Sequence, residues 1–332
     1  MRYLLLVLFL IFNGCADKVF EPKKVEVKKL KSKDFKELKE YTKHNFTFAD
    51  FKLKYSKPDI AFDGVEGVEV HYDLNGTYLG KFNKANDNLA VFGNKIFVLD
   101  ENKTYSLPFV IYGATKHKNK IAVVFENGKY GIFDTKTKKM TSVLQSDETL
   151  SVKYLHANPV FYNNLVLFPL ITGNVAVADL NGNYIRTLSI SQNPFNDNVI
   201  FLKIVNGKLF MATPSRLILF DPNFLIDYSA DIKHIIAYNG YLYIFTPDGE
   251  IIKLNSDLKE IKKVKLPYAS FYAPGVCKGN IYTVEKEGYL IKITPNLKVT
   301  VYKGNNFDTT TNSMLKLNKC KIYNYDKVFI IE

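Results

Sequence analysis

The 332-residue sequence has no tryptophan, three cysteines, five histidines and only three arginines. Each scarcity removes a class of chemistry. Zinc needs a clustered set of Cys or His ligands. Cys277 and Cys320 stand far apart, and none of His44, His71, His117, His156 or His234 has a second His at ligand spacing or a His-Glu motif. No metal site is therefore expected. Bidentate recognition of bases and phosphates leans on arginine, and Arg2, Arg186 and Arg216 are too few for a nucleic-acid partner. No Gly-x-Ser-x-Gly elbow or phosphate loop occurs. Asp179-Leu-Asn-Gly-Asn183 has the opening of a calcium loop, but Ile190 stands at the twelfth position where the carboxylate belongs. An Asn-Gly hairpin explains that stretch better. The longest apolar run, Tyr3 to Phe12, is ten residues, half of the roughly 20 that a bilayer-spanning helix requires.

Lysine and large apolar residues are abundant. Lys and Arg total 45 against 33 Asp and Glu, a formal charge of +12, while hydrophobic residues make up 47% and aromatics 14%. That balance excludes disorder over most of the length. Arg2, the apolar run and Asn13-Gly14-Cys15 read as an export signal, and the small residue before Cys15 resembles a bacterial lipobox. The resemblance implies cleavage before Cys15 and a diacylglycerol on its thiol, giving a signal peptide at 1–14. Ala16 follows the Cys where an inner-membrane protein of that class has Asp; an outer-membrane anchor facing the periplasm is therefore favoured. Residues 15–45 read as a lipidated basic tether, since 18–45 carries ten Lys and five acidic residues without Gly. Ser32 is a candidate cap for a short helix bearing Phe35 and Leu38. The alternative for the segment is a basic stretch lying on anionic headgroups. Cys277 and Cys320 would remain as thiols. They are read as two buried, unpaired groups, with a disulfide as the alternative in an oxidising compartment.

From about residue 60 the chain alternates short Val, Ile, Leu, Phe and Tyr runs with Asn-Gly, Asp-Gly and Gly-Asn pairs, the signature of hairpins. Seven such runs start at Ile96, Ile121, Leu165, Leu209, Leu242, Ile281 and Val328. Their mean spacing is near 39 residues, which suits four-stranded propeller blades. They are read as second strands, covered on both faces by neighbouring blades. Third strands follow at Tyr130 to Asp134, Val175 to Asp179, Leu217 to Asp221, Ile251 to Leu254 and Leu290 to Ile293. At the ends, Val68 to Phe82 supplies a third and fourth strand, and Cys320 to Ile331 a first and second. Joined, they would make one blade and close the ring. The expectation is an all-β, seven-bladed propeller over 46–332, with six or eight blades as alternatives should 46–62 add a strand.

The repeats resemble the quinoprotein-like (PQQ-like) β-propellers. The resemblance rests on Gly240-Tyr-Leu-Tyr-Ile-Phe-Thr-Pro-Asp-Gly-Glu-Ile-Ile-Lys-Leu-Asn255 and on Gly128-Lys-Tyr-Gly-Ile-Phe-Asp-Thr-Lys-Thr-Lys138. Enzymes of that superfamily stack their quinone on Trp; the absence of Trp argues against a cofactor and against dehydrogenase activity. A propeller behind a lipobox resembles the propeller lipoproteins of the outer-membrane β-barrel assembly machinery. That resemblance implies a non-enzymatic, monomeric scaffold binding envelope proteins. Phe195, Tyr268, Phe271, Tyr272 and Phe307 fall in long connections and are the candidate partner-binding aromatics. The alternative is a ligand or enzyme site for an envelope sugar or peptide in the central channel.

Overall fold

The computed structural model describes residues 18–34, 60–63, 69–72, 78–82, 84–86, 89–92, 94–98, 101, 103–146, 157–191, 198–221, 224–309, 315–318, 320–324 and 327–332. Among them there is no helix, and the strands pair into eight sheets. Each sheet is a blade, and the blades span 60–82, 84–106, 111–145, 160–189, 201–229, 234–265, 271–303 and 315–330. Successive strands within a blade pair antiparallel, and the innermost strand of blade eight meets that of blade one, closing the ring.

Blade six shows how sequence becomes a blade. Its strands are His234–Tyr238, Tyr241–Phe245, Glu250–Leu254 and Glu260–Lys265. Asn239 and Gly240 join the first two with φ of 49° and 76°, the left-handed pair that a two-residue hairpin needs and that Asn-Gly adopts at little cost. The second and third strands are buried along most of their length, whereas the fourth is almost wholly exposed. A carboxylate or amide at the end of the third strand then folds the next turn. Asp134 Oδ1 accepts the N–H groups of Lys136 (2.8 Å) and Thr137 (3.1 Å), and Asn255 Oδ1 those of Asp257 and Lys259 (both 2.9 Å). Asp179 does the same for Asn181 and Asn183, which is why that stretch has the beginnings of a calcium loop.

The core lies between blades rather than inside them. Tyr243, Phe245 and Ile251 of blade six pack with Phe271, Ile281 and Ile291 of blade seven. Leu167 and Val177 of blade four meet Leu209 and Met211 of blade five. Several lysines take part in these joints. Lys120 donates to the Leu180 carbonyl (2.6 Å), and Lys253, buried over the Tyr241 ring at 3.9 Å, donates to the Pro295 carbonyl (2.9 Å). In both cases the lysine of one blade reaches a turn of the next.

The described residues pair into eight sheets, one more than the seven blades expected. The runs at Ile96 and Val328 are third strands, preceded by Leu89–Phe92 and Lys321–Asn324. Second and third strands are both covered on two faces, so apolar continuity cannot tell them apart. The pair within 68–82 does not complete the last blade. It joins Ile60–Asp63 in a three-stranded sheet of its own.

The fourth strand of the last blade comes instead from the segment expected as tether and short helix. Two strands, β1 (Glu26–Val27) and β2 (Lys31–Asp34), which contains Ser32, add to the outer edges of blades seven and eight. The strap is held on its inner side by Phe20, which packs edge-on against Tyr289 (5.8 Å), and by buried Leu30. Each side chain contributes about 1.5–3 kcal/mol of apolar burial. Asn305 clamps the backbone between them, accepting from Leu30 N–H (2.8 Å) and donating to the Lys28 carbonyl (3.0 Å). Gly304, at φ 137°, leaves room for that carbonyl, which would lie 2.8 Å from an added Cβ. Cys15 and residues 35–45 lie outside the described residues.

Cys277 and Cys320 form a disulfide with a Cα separation of 4.9 Å, against the reading of two free thiols. It joins the end of the first strand of blade seven to the turn after that of blade eight. The bond spans 43 residues, for which loop-closure entropy gives about 4 kcal/mol. Cys277→Ala with Cys320→Ala is expected to lower unfolding stability by about 2–4 kcal/mol. Urea denaturation of the two proteins, with dithiothreitol reproducing the loss in the wild type alone, checks this.

Candidate interaction faces

Antiparallel order sorts the connections onto two faces. Turns joining first to second and third to fourth strands lie on one face, here the lower. Turns joining second to third strands, and the links between blades, lie on the upper. A polar cluster sits on the upper face where blades six and seven meet. Lys233 Nζ, just before the first strand of blade six, donates to Ser270 Oγ (2.8 Å) and lies 3.8 Å above the Tyr272 ring. Burial lowers the Lys233 pKa to about 8; nearby Glu285 opposes that shift and Lys286 adds to it. Glu285 ends the second strand of blade seven, fully buried. Its carboxylate accepts the N–H groups of Ser270 (3.2 Å) and Glu287 (2.8 Å), yet burial still raises its pKa. His234 Nε2 is 3.2 Å from the Phe271 carbonyl oxygen.

The lower face carries a cleft between blades two and three, lined by Glu101, Lys103, Lys118, Asn119, Lys136 and Lys138. Glu101 bridges Lys116 (3.1 Å) and Lys103 (3.2 Å), and the bond to Lys116 leads in holding its carboxyl below the usual range. The cleft carries more lysines than carboxylates, and its chemistry suits an anionic or acidic group.

The structure divides the aromatics expected at the partner surface. Tyr268 is on the surface, 53% exposed, with Lys18 Nζ 5.5 Å from its ring. The expectation fails for three others. Phe271 is fully buried against Phe245 (5.4 Å), Tyr272 is covered by Lys233, and Phe307 packs on Phe329 at 4.7 Å. Phe271 and Tyr272 open a strand, Phe271–Cys277, rather than belonging to a loop. Phe195, His44 and His156 lie outside the described residues. His117 stacks near Phe161 (5.2 Å). No group of three or more metal-ligating residues occurs among the described residues, nor any helix long and apolar enough to cross a membrane. The Lys233 cluster escaped the sequence reading because its members come from two blades and three separate connections. No local motif joins them.

The crystal structure of BamB from Moraxella catarrhalis matches at TM-score 0.59 with 13% identity, covering 80% of this chain and 94% of that one. The chain has a β-propeller fold similar to that of BamB. The computationally designed protein Ika8 matches at 0.57 with 13% identity, over 84% of this chain and 94% of its own. The C-terminal WD40 domain of Sif2 matches at 0.56 with 10% identity, over 83% and 98%. At such identities the likeness is one of fold. No family profile matches the chain. Two curated relatives do: the plasminogen-binding protein PgbB of Helicobacter pylori strain J99, 29% identical over 181 residues, and that of strain 26695, at 28%. The match takes in 54% of this chain but only 34% and 33% of those relatives, about a third of their length.

The lowered Lys233 pKa makes a pH prediction with a definite sign. The unfolded lysine titrates near 10.5 and the folded one near 8, so between those values the unfolded state binds more protons and stability rises with pH. The penalty of burying the charged amine is complete below pH 8. Tyr228 and Tyr243, both raised to about 12, act oppositely above pH 10. Urea midpoints are expected to climb from about pH 8 to 10 and then fall. Lys233→Met should flatten the climb and keep the fall.

Proposed function

We propose that this chain is a non-enzymatic propeller scaffold, anchored to the membrane through lipid on Cys15, that binds proteins of the cell envelope. Its most concrete form is a role in outer-membrane protein assembly, at the periplasmic side of the outer membrane. The observation that carries the reading is the BamB-like ring itself, which covers 80% of the chain. The relative named as a plasminogen-binding protein supports protein binding from a separate direction. The lower-face cleft, with Lys103, Lys118, Lys136 and Lys138, supplies a charged surface for partners.

A second reading is a small ligand held at the upper mouth of the channel, favoured by the Lys233, Ser270 and Glu285 cluster. An amine of lowered pKa beside a hydroxyl suits the carboxylate or carbonyl of an envelope sugar or peptide.

In vivo crosslinking followed by mass spectrometry separates these readings. Barrel-assembly proteins should be enriched over a Cys15→Ser control, and Lys118→Glu with Lys136→Glu and Lys138→Glu should reduce that yield several-fold. Enrichment of no envelope protein from correctly processed chain would remove the scaffold reading. Saturable binding of a cell-wall fragment, abolished by Lys233→Met, would establish the channel reading in its place.

A further inference from the structure

The N-terminal strap has an outer side that its pairing with the blades does not use. Phe20 and Leu30 point into the core, while Val19, Val25 and Val27 face outward at 44%, 38% and 90% exposure. Lys18, Lys23, Lys24 and Lys29 are exposed around them. Residues 18–31 carry six lysines against Glu21 and Glu26. Exposed Tyr268 extends the patch through its contact with Lys18. Valine side chains held in water beside a dense positive charge gain nothing from solvent. At a bilayer surface the apolar tips enter the boundary of headgroups and chains, the lysines meet lipid phosphates, and tyrosine sits at headgroup level.

Chain length directs the same surface to the same place. Phe20 is fixed in the interblade core, and five residues of extended chain reach at most about 18 Å. A lipid on Cys15 would therefore hold the strap, rather than either propeller face, against the bilayer. We propose that the outer side of the strap, formed by Val19, Val25, Val27, Tyr268 and the surrounding lysines, docks on an anionic lipid surface. The propeller then stands edge-on, blade seven nearest the membrane, with its upper and lower faces both open to partners. The orientation rests on the membrane-anchor reading; the lipid affinity of the strap does not.

The test uses chain beginning at residue 16, which keeps every described strand and dispenses with the acyl group. Its binding to vesicles of neutral phosphatidylcholine is compared with vesicles containing about 30% phosphatidylglycerol, at about 0.1 M salt. Binding to the anionic vesicles should be at least about tenfold tighter. Combined Lys23→Glu, Lys24→Glu, Lys29→Glu and Val27→Asp should abolish the difference with an unchanged circular dichroism spectrum. Charge reversal at Lys118, Lys136 and Lys138 on the lower face should leave it intact. Equal binding to both vesicles, no binding, or an equal loss from the lower-face variant overturns the proposal. So does a strap variant that still binds vesicles but loses its envelope crosslinks, since the strap is then a protein-docking surface. The mass of the processed full-length protein reports separately on the anchor. Unmodified Cys15 with vesicle binding intact removes the anchor and leaves the strap's affinity. Acylated Cys15 without vesicle binding by the soluble chain does the reverse.

Discussion

Every blade has two apolar faces, and no blade can cover both by itself. The buried second and third strands of blade six are shielded on one side by blade five and on the other by blade seven. This mutual dependence is the constraint from which the rest follows. A row of such sheets is stable only when the first and last also find a neighbour, so the ring must close and the closing joint must hold. Regular strands need only local instruction, from turns such as Asn239-Gly240 with its pair of positive φ angles. Closure needs contacts between residues hundreds of positions apart.

The last blade is completed by the N-terminal segment, and its joint to the blade before it is reinforced. Blades seven and eight are bound by a shared buried cluster, by the disulfide between Cys277 and Cys320, and by a strap whose strands lie on the outer edge of each. The strap also covers two sheet edges that would otherwise offer unpaired backbone groups. Its lysines are divided between tasks. Lys31 pairs with Glu332 at 2.6 Å and Lys28 lies over the Tyr302 ring at 5.3 Å, while Lys23, Lys24 and Lys29 remain on the outside. A segment that completes the last blade is thus also the part nearest the proposed anchor, so docking and blade completion share one element.

The lysine-rich composition has a structural component as well as a surface one. Lys120 and Lys253 span from blade to blade onto turn carbonyls, and Lys253 is buried among tyrosines. Formal charge alone would assign such residues to solvent or to an acidic partner. Lys233 is the case where burial is not fully compensated. It retains a hydroxyl partner and an aromatic face, but its charged form is held at a cost.

The sequence by itself determined the blades. The hairpin pairs, the doubly covered runs and the Asp or Asn at the end of the third strand in blades three to six are short-range signals, and they placed the third strands of blades three to seven correctly. Tertiary structure decided which strand of its sheet each run becomes and what completes the last sheet. Leu89–Phe92 and Ile96 to Val98 are equally apolar, and only pairing tells which is second and which third. Strands β1 and β2 are charged, without the alternation of an ordinary strand, because they lie on outer edges and take their partners' backbone groups rather than an apolar face. The same holds for the sites. Aromatic identity marked Tyr268 and Phe271 alike, but burial between blades put only the first on the surface. The Lys233 cluster and the pairing of Cys277 with Cys320 exist because the ring brings distant turns together, and a linear chain carries no local trace of that proximity.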